Sequence, residues 1–519
     1  MSAGTRFLLL AAAATVLLYP LAYADVYAGD AVIHLIYAEN AARGHFYEFN
    51  LGEVTAGVTS TGYMLLLAGL FRLLPAPLVP IAAKLLGALA WFASLAFVYA
   101  AARRWLHDWR WAAAAALTCG LLPGSVHNAN VGMETPFFLL WTAGWLALAA
   151  RWDWFDGAAI TWRRELLAGA LLGFGFWLRP EAVLVSAAAF PVRALSVARL
   201  KGPGAVFGAL LPGAAAALAV AGVALGFHYY HSGLWLPTSG RSRMYLATLT
   251  SWRLGPFLFD PAFAKRLLAY APLTALFLLG SVRLLRQRSG WGRFVVLLFV
   301  FGFGVYSFLT GAHHLSRYTA FLFPGFVLVA AAGAQGFAAA FPVRRRLILG
   351  SLATIVAVLF VAEGTVRVFN LDPRGEDRLG RRGTFGELRN APLARQAHSE
   401  AWLERLGQPR ERPIVLAMQE VDLRYYLDNR FVVRSLDGRV DPLLLEFAAP
   451  DYVDHIGYFR ARGVHFLLDA PNYIPEYKTR FSIAWLRGLD PGAHGSHEGM
   501  RFERLNNAAA WRLRENRNR

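Results

Sequence analysis

The residues that could do chemistry in this chain lie in a few short polar stretches between long apolar runs. Asp30 sits in Tyr27-Ala28-Gly29-Asp30-Ala31-Val32-Ile33-His34, just past the first hydrophobic run. A carboxylate at the mouth of a membrane helix costs little where water reaches it. It is also placed to take a proton from an alcohol that approaches from outside the membrane. His34 follows four residues later, so the two side chains would project from neighbouring turns of one helical face. Asp is equally a favoured helix N-cap, and one residue can serve both roles.

Further along, Gly124-Ser125-Val126-His127-Asn128-Ala129-Asn130-Val131-Gly132-Met133-Glu134 forms a polar stretch between two apolar runs, and Glu134 opens the second. An acid there suits the positive end of a helix dipole. Arg179-Pro180-Glu181 interrupts another apolar stretch. Ionisable groups at membrane depth line a cavity or pair with each other, so Arg179 either meets a ligand or forms an ion pair with Glu181 or Glu134. Thr238, Arg241 and Arg243 share one loop, and His314, Arg317 and Tyr318 share another. Arginine binds phosphate through paired donors, so these loops suit a lipid phosphate; bulk anionic head groups are the plainer partner. His313 and His314 are adjacent and would point apart on a helix, so they are a weak metal signal. A divalent cation is not supported by the sequence, and no cofactor is required.

The elements that position these residues are membrane helices. The 519 residues are 56% hydrophobic and 17% charged, with mean hydropathy +0.38. Soluble domains are more charged than this. The single Cys119 cannot form an internal disulfide, and it reads as a small core residue. Spans are expected near 6–24, 78–101, 112–126, 134–150, 165–179, 181–198, 204–227, 262–286, 293–311, 317–341 and 346–368. The first run has no cleavage site before a polar region and reads as a retained helix, not a signal peptide.

The connecting loops alternate in charge. Arg103, Arg104, Arg151, Arg163, Arg199, Arg283 and Arg344 to Arg346 mark one side, which the positive-inside rule assigns to the cytoplasm. This distribution accounts for the formal net charge of +18; nucleic-acid binding is not expected from basic residues scattered among spans. The loops carrying Asp30, Glu134, Glu181, Arg243 and Arg317 then fall outside. Residues 59–74 are apolar enough to cross, but a crossing there would reverse every later loop. They are expected to form a re-entrant or interfacial helix. Residues 31–42 are expected to form an amphipathic helix along the interface.

Residues 369–519 differ in character. A charged linker with surface helices over 371–412 leads to β-like runs at 413–418, 431–436 and 464–469, with helical patterns at 421–427, 442–447 and 452–462 between them. Two domains are expected: a membrane domain over 1–368 and an α/β domain over 369–519. An odd number of spans from a cytoplasmic N-terminus puts the second domain outside, in the periplasm of a cell whose inner membrane holds the first.

With these motifs in order, the chain resembles the GT-C class of integral-membrane glycosyltransferases, and within it the arabinofuranosyltransferases. The resemblance lies in Gly29-Asp30-Ala31-Val32-Ile33, Ile36-Tyr37-Ala38-Glu39-Asn40, Gly44-His45, Phe49-Asn50-Leu51-Gly52-Glu53 and Gly57-Val58-Thr59-Ser60. It continues through Gly132-Met133-Glu134-Thr135, Arg179-Pro180-Glu181, Leu236-Pro237-Thr238-Ser239 and Arg317-Tyr318. The family's paired acids are reduced to one here, with Gly29 in the first place, and its arginine before Tyr37 is Ile36.

The resemblance implies a GT-C-like polytopic helical membrane protein of about 11 spans with a C-terminal extracytoplasmic α/β domain. It implies a sugar, a pentofuranose such as arabinofuranose, moved with inversion from a polyprenyl-phosphate donor to a glycan, protein or lipid acceptor at the bilayer surface. Asp30 would be the general base. His34, Tyr37, Asn40, His45, Asn50 and Glu53 in the first loop would bind substrate. So would Glu134, Arg179, Glu181, Thr238, Arg241, Arg243, His314, Arg317 and Tyr318. Two other classes suit a polytopic chain with intramembrane charges: a lipid-linked glycan flippase, which would favour inverted repeats that are not seen here, and a non-catalytic scaffold.

Overall fold

A computed structural model of the chain describes residues 10, 13–14, 16–21, 27–157, 161–240, 242, 271–309, 315–341, 385–407, 413–418, 421–436, 440–449, 452–468, 494–497, 500–505 and 510–515. Arg241, Arg243 and His314 lie outside these residues, as do the expected span at 346–368 and parts of those near 6–24, 262–286 and 293–311. The chain divides into two compact units. One comprises Met1–Val26, Ala83–Ala224 and Leu254–Arg381, the other Tyr27–Ala82, Leu225–Arg253 and Arg382–Arg519.

The first unit is helical. Four helices among the described residues are long and apolar enough to cross a membrane: Ala182–Lys201 and Ala320–Ala340 lie wholly in this unit, and Ala76–Leu106 and Pro203–Ser232 lie mostly in it. Shorter helices at Trp109–Leu121, Thr135–Arg151, Trp162–Leu178 and Ala271–Arg286 accompany them. The run expected as one span over 112–126 breaks at Leu122-Pro123, and a separate helix follows at Pro123–Asn130. Proline lacks the N–H that would continue the first helix but suits the first turn of the next.

Small residues bring helices together. A Cβ at Gly169 would meet the backbone of Gly213, and one at Gly173 the backbone of Ala217. Gly280 and Gly333 face each other in the same way. Between lipid-facing helices, close backbone approach supplies the packing energy that the hydrophobic effect does not. The unit also buries an ion pair: the Arg193 guanidinium donates to Glu165 at 2.5 and 3.0 Å, and Trp154 Nε1 donates to the other carboxylate oxygen at 3.0 Å.

The second unit begins with the Gly29–Ala42 helix, buried from Ala31 to Ala41. The expected amphipathic surface helix is therefore corrected to an enclosed one. Its polar residues are satisfied inside, as in Asn40 Nδ2 donating to the Glu48 carbonyl at 2.8 Å. The Thr61–Leu73 helix packs against it, capped by the Ser60 side chain accepting from the Tyr63 N–H at 3.3 Å. At 13 residues it is shorter than the roughly 20 needed for a full crossing.

Between these helices lies a hairpin, β1 (Glu48–Asn50) with β2 (Glu53–Val54). Gly52 turns it at φ +83, a conformation that only glycine adopts without strain.

The rest of the second unit carries a six-stranded sheet. Its strands are β3 (Ile414–Met418), β4 (Phe431–Ser435), β7 (Phe466–Leu468), β8 (His494–His497), β9 (Met500–Arg504) and β10 (Ala510–Glu515), while β5 (Ala448–Ala449) and β6 (Tyr452–Val453) form a small ribbon. The order is β4-β3-β7-β10-β9-β8. The first three strands run parallel, with Leu416 opposite both Val433 and Phe466, and the last three add antiparallel neighbours. The core under the sheet includes Ala417, Leu436, Ile456, Phe459, Leu467 and Leu513. The segments expected as helices at 421–427 and 442–447 are 3-10 turns, Val421–Tyr426 and Pro442–Phe447. The stretch read as a linker with surface helices contains a 22-residue helix, Phe385–Leu406, with Pro392 inside it.

Candidate active site

In the second unit the first-loop residues gather around the Gly29–Ala42 helix. Its N-cap is Ala28, so Asp30 is not the cap considered from the sequence; it lies in the first helical turn and is half-buried. The partial positive charge of the helix N-terminus favours a carboxylate there. His34 is buried, and its Nδ1 sits 2.8 Å from the Asp30 carbonyl oxygen. The imidazole packs edge-on against Tyr63 with ring centroids 5.4 Å apart. The backbone contact and the ring contact fix this histidine beside the acid.

The remaining first-loop residues hold the loop in shape. The Tyr37 and Thr55 hydroxyls are 2.8 Å apart, and the Gly57 N–H donates to Tyr37 at 3.0 Å. Burial pushes the Tyr37 hydroxyl far above its ordinary pKa, so it stays protonated. Tyr47 pairs with Thr61 at 2.6 Å, and its ring lies 4.7 Å from that of His228. Thr238 closes the same loop from the other side: its hydroxyl donates to the Thr55 carbonyl at 2.9 Å and its N–H to the Ala56 carbonyl at 3.0 Å. Tyr47 and Ala56 both take positive φ, 57° and 43°. Such strain persists only where surrounding contacts over-determine the backbone, as these do.

Asn50 and Glu53 reach the sheet. Asn50 Nδ2 donates to the Val433 carbonyl at 2.9 Å, and the Val433 N–H donates to Asn50 Oδ1 at 3.0 Å. Glu53 accepts two bonds from Arg434, one of them at 2.7 Å. Asp441 then accepts from Tyr458 at 2.9 Å and from Arg462 at 2.7 Å, with the Arg434 guanidinium 3.4 Å away. His45 is exposed, 3.2 Å from Glu48.

The first unit gathers the other set. Arg179 and Glu134 are fully buried and ion-paired. Arg179 also binds Glu181 with both ends of its fork, Nη2 at 2.7 Å and Nε at 3.1 Å. Arg317 reaches the same Glu134 oxygen at 3.4 Å. The Tyr318 ring lies 5.2 Å from the Arg179 guanidinium and 5.9 Å from that of Arg317. Two carboxylates and two guanidiniums therefore share one site, with Glu134 at the start of the Thr135–Arg151 helix. Gly132 at φ +78 makes the turn that delivers Glu134, which gives the glycine of the Gly-x-Glu motif a physical reason. Among the described residues no group of three or more acidic, histidine or cysteine side chains could hold a metal ion.

Sequence reasoning did not find the partnership of Glu39 with Arg395. Arg395 donates to both Glu39 oxygens at 2.5 and 2.7 Å, and Arg43 donates to one of them at 2.7 Å. Burial alone would raise the Glu39 carboxyl; the bonds from Arg395 and the charges of Arg395, Arg43 and Arg424 outweigh it and hold it below the usual carboxylate range. The Ala-Glu-Asn motif was the available signal, since it places an acid beside Asn40 in a buried helix.

No family model matches the chain, and no curated protein matches it. Solved structures do. ArnT from Cupriavidus metallidurans bound to undecaprenyl phosphate aligns over 95% of this chain and 97% of its own, at 13% identity and TM-score 0.56. The apo form of that protein aligns over 94% and 96%, at 14% identity and TM-score 0.55. The archaeal oligosaccharyltransferase AglB from Archaeoglobus fulgidus, in complex with an inhibitory peptide and a dolichol-phosphate, aligns over 91% and 70%, at 11% identity and TM-score 0.50. The chain thus shares the fold of these structures.

Proposed function

We propose that this chain is a membrane glycosyltransferase that takes a sugar from a polyprenyl-phosphate donor and passes it to an acceptor hydroxyl on the outer side of the membrane. The observation that carries the reading is the near-complete alignment with a structure holding undecaprenyl phosphate, in both directions. The motif residues add to it: an acid in the first turn of a buried helix, and an arginine–carboxylate site at Glu134, Arg179, Glu181 and Arg317.

In this reading Asp30 removes the proton from the acceptor hydroxyl. That oxygen attacks the anomeric carbon, and the carbon–phosphate oxygen bond breaks with inversion. Phosphate leaves without help from a general acid, but its developing charge needs positive partners. Arg241, Arg243 and Arg317 are proposed for that role, His314 and Tyr318 as further donor-binding residues, and Glu134, Arg179 and Glu181 as residues that position the arginines or hold sugar hydroxyls. His34 orients the acceptor. Tyr37, Asn40, Asn50, Glu53 and Thr238 shape the loop, and His45 lies at its rim.

The proposed sugar is a pentofuranose such as arabinofuranose, on the strength of the first-loop motifs alone. We further propose about 11 spans, with the membrane domain over 1–368 and the α/β domain over 369–519 in the periplasm. Purified protein in detergent, given a panel of polyprenyl-phosphate sugars, is expected to release polyprenyl phosphate from a pentofuranosyl donor. Release from none of them, with or without added acceptor, would leave the flippase or scaffold class in its place.

A further inference from the structure

The second unit contains a cavity of about 200 Å³ that the proposed chemistry does not use. Its walls come from the Gly29–Ala42 helix and the residue after it (Glu39, Asn40, Arg43), from Arg395, and from the turn that carries Arg424, Tyr425 and Asn429. Three guanidiniums therefore line it. Glu39 serves two of them, Arg43 and Arg395. Arg424 donates to neutral groups, the Leu427 carbonyl and Asn429 Oδ1, both at 2.9 Å. Asp428, the other acid in the wall, is held by Arg430, which donates to it at 2.5, 2.9 and 3.1 Å.

Glu39 and Asp428 thus stand against three guanidiniums in the wall, and no carboxylate is bonded to Arg424 among the described residues. Arg43 is solvated, but Arg395 is partly buried and Arg424 buried beside it; positive charge withdrawn from water is costly, and an anion supplied from outside offsets it. Burial and the neighbouring Arg395 charge bring the Arg424 guanidinium down to about 10, against the opposing pull of Glu39 and Asp428. Arg424 is also nine-tenths buried, and its Nε has no partner among the described residues. The cavity is open to ligand at Arg43, whose side chain is 54% exposed. Its volume is below that of a drug-sized pocket and suits a group as small as one sugar ring. The Asn429 side chain, also in the wall, is the kind of polar group that orients sugars.

We infer that this cavity binds an anionic sugar unit, one bearing a carboxylate or a phosphate, as part of the acceptor. This inference rests on the glycosyltransferase reading for the word acceptor, but not for the binding. Glu39 stands nine residues after Asp30 on one helix, about 14 Å along its axis at the ~1.5 Å rise of an α-helix. The anionic unit is then not the one attacked; it anchors the chain a few units away from the hydroxyl presented to Asp30.

The test is calorimetric titration of the full-length protein in detergent with glucuronate, glucose 1-phosphate, glucose and inorganic phosphate. Glucuronate or glucose 1-phosphate is expected to bind, glucose at least tenfold more weakly, and Arg43→Ala and Arg424→Gln each to weaken the anionic sugar tenfold or more. Arg43 is exposed, so its replacement leaves the fold testable if Arg424→Gln does not fold. Preference for glucuronate assigns a uronate, and preference for glucose 1-phosphate a phosphosugar. Binding of glucose as tight as that of either acid, binding unchanged in Arg43→Ala, or inorganic phosphate as tight as its sugar ester would overturn the inference. Because no donor is needed, anionic-sugar binding without any transfer sinks the glycosyltransferase reading alone, and transfer without such binding sinks the cavity alone.

Discussion

Asn50 and Val433 lie 383 positions apart and exchange a pair of hydrogen bonds, the side-chain amide of one matching the backbone of the other as a neighbouring strand would. The first loop therefore reads the edge of β4 as a template. Both groups are buried, so neither has water to fall back on. Asn50→Ala is expected to cost about 2–3 kcal/mol, from leaving the Val433 N–H and carbonyl unsatisfied. Thermal unfolding in detergent would show it, and limited proteolysis would show the loop cut before the sheet. Asn50→Ala with an unchanged melting profile would mean that the template contact carries no stability.

Glu39 predicts an acid sensitivity. Folding lowers its pKa, so its contribution is complete above the unfolded carboxyl value of roughly 4.3 and declines as the pH falls through the lower folded value. Glu39→Gln removes that contribution at neutral pH and leaves Arg395 without its carboxylate, at a cost of about 3 kcal/mol. Unfolding measured from pH 7 down to pH 3 should show a loss below pH 5 that is smaller in Glu39→Gln than in the native protein.

The buried Glu134–Arg179 pair predicts a non-additive result. Arg179→Met takes the Arg179 bond from the fully buried Glu134 carboxylate and leaves it the 3.4 Å contact to Arg317, at a cost of about 3 kcal/mol. Arg179→Met combined with Glu134→Leu removes both charges and should recover much of that stability. It should not recover transfer, which separates the structural from the chemical role of the pair.

Gly132 tests how finely Glu134 must be set. Alanine at φ +78 costs about 1 kcal/mol and shifts the turn. Gly132→Ala is expected to lower transfer at least tenfold with a loss in melting temperature of only a few degrees. Equal transfer in the variant would show that the position of Glu134 is loosely specified.

Some of this was legible in the sequence because local chemistry decides it. The β-branched runs at 413–418, 431–436 and 464–469 became strands Ile414–Met418, Phe431–Ser435 and Phe466–Leu468, and Arg179 pairs with both acids considered for it. The rest depends on contacts that no local pattern encodes. Arg395 sits in a stretch whose charge reads as surface helices of a linker, yet from its 22-residue helix it meets Glu39 across 356 positions. The Gly29–Ala42 helix read as a surface helix because His34, Glu39 and Asn40 are polar, and burial became possible only because distant groups satisfy them. Short 3-10 turns replaced the expected helices at 421–427 and 442–447 because segments that brief are set by what they pack against.

The role of Asp30 is the centre of the account, and one measurement addresses it most directly: initial rates of release of polyprenyl phosphate from a labelled polyprenyl-phosphate sugar by native protein and by Asp30→Asn, each with its melting temperature. Removing a general base is expected to lower the rate about 10²–10⁴-fold, with the melting temperature unchanged because Asp30 lies half-buried in the first helical turn. An Asp30→Asn protein that melts like the native one and transfers sugar at a near-native rate would contradict the assignment.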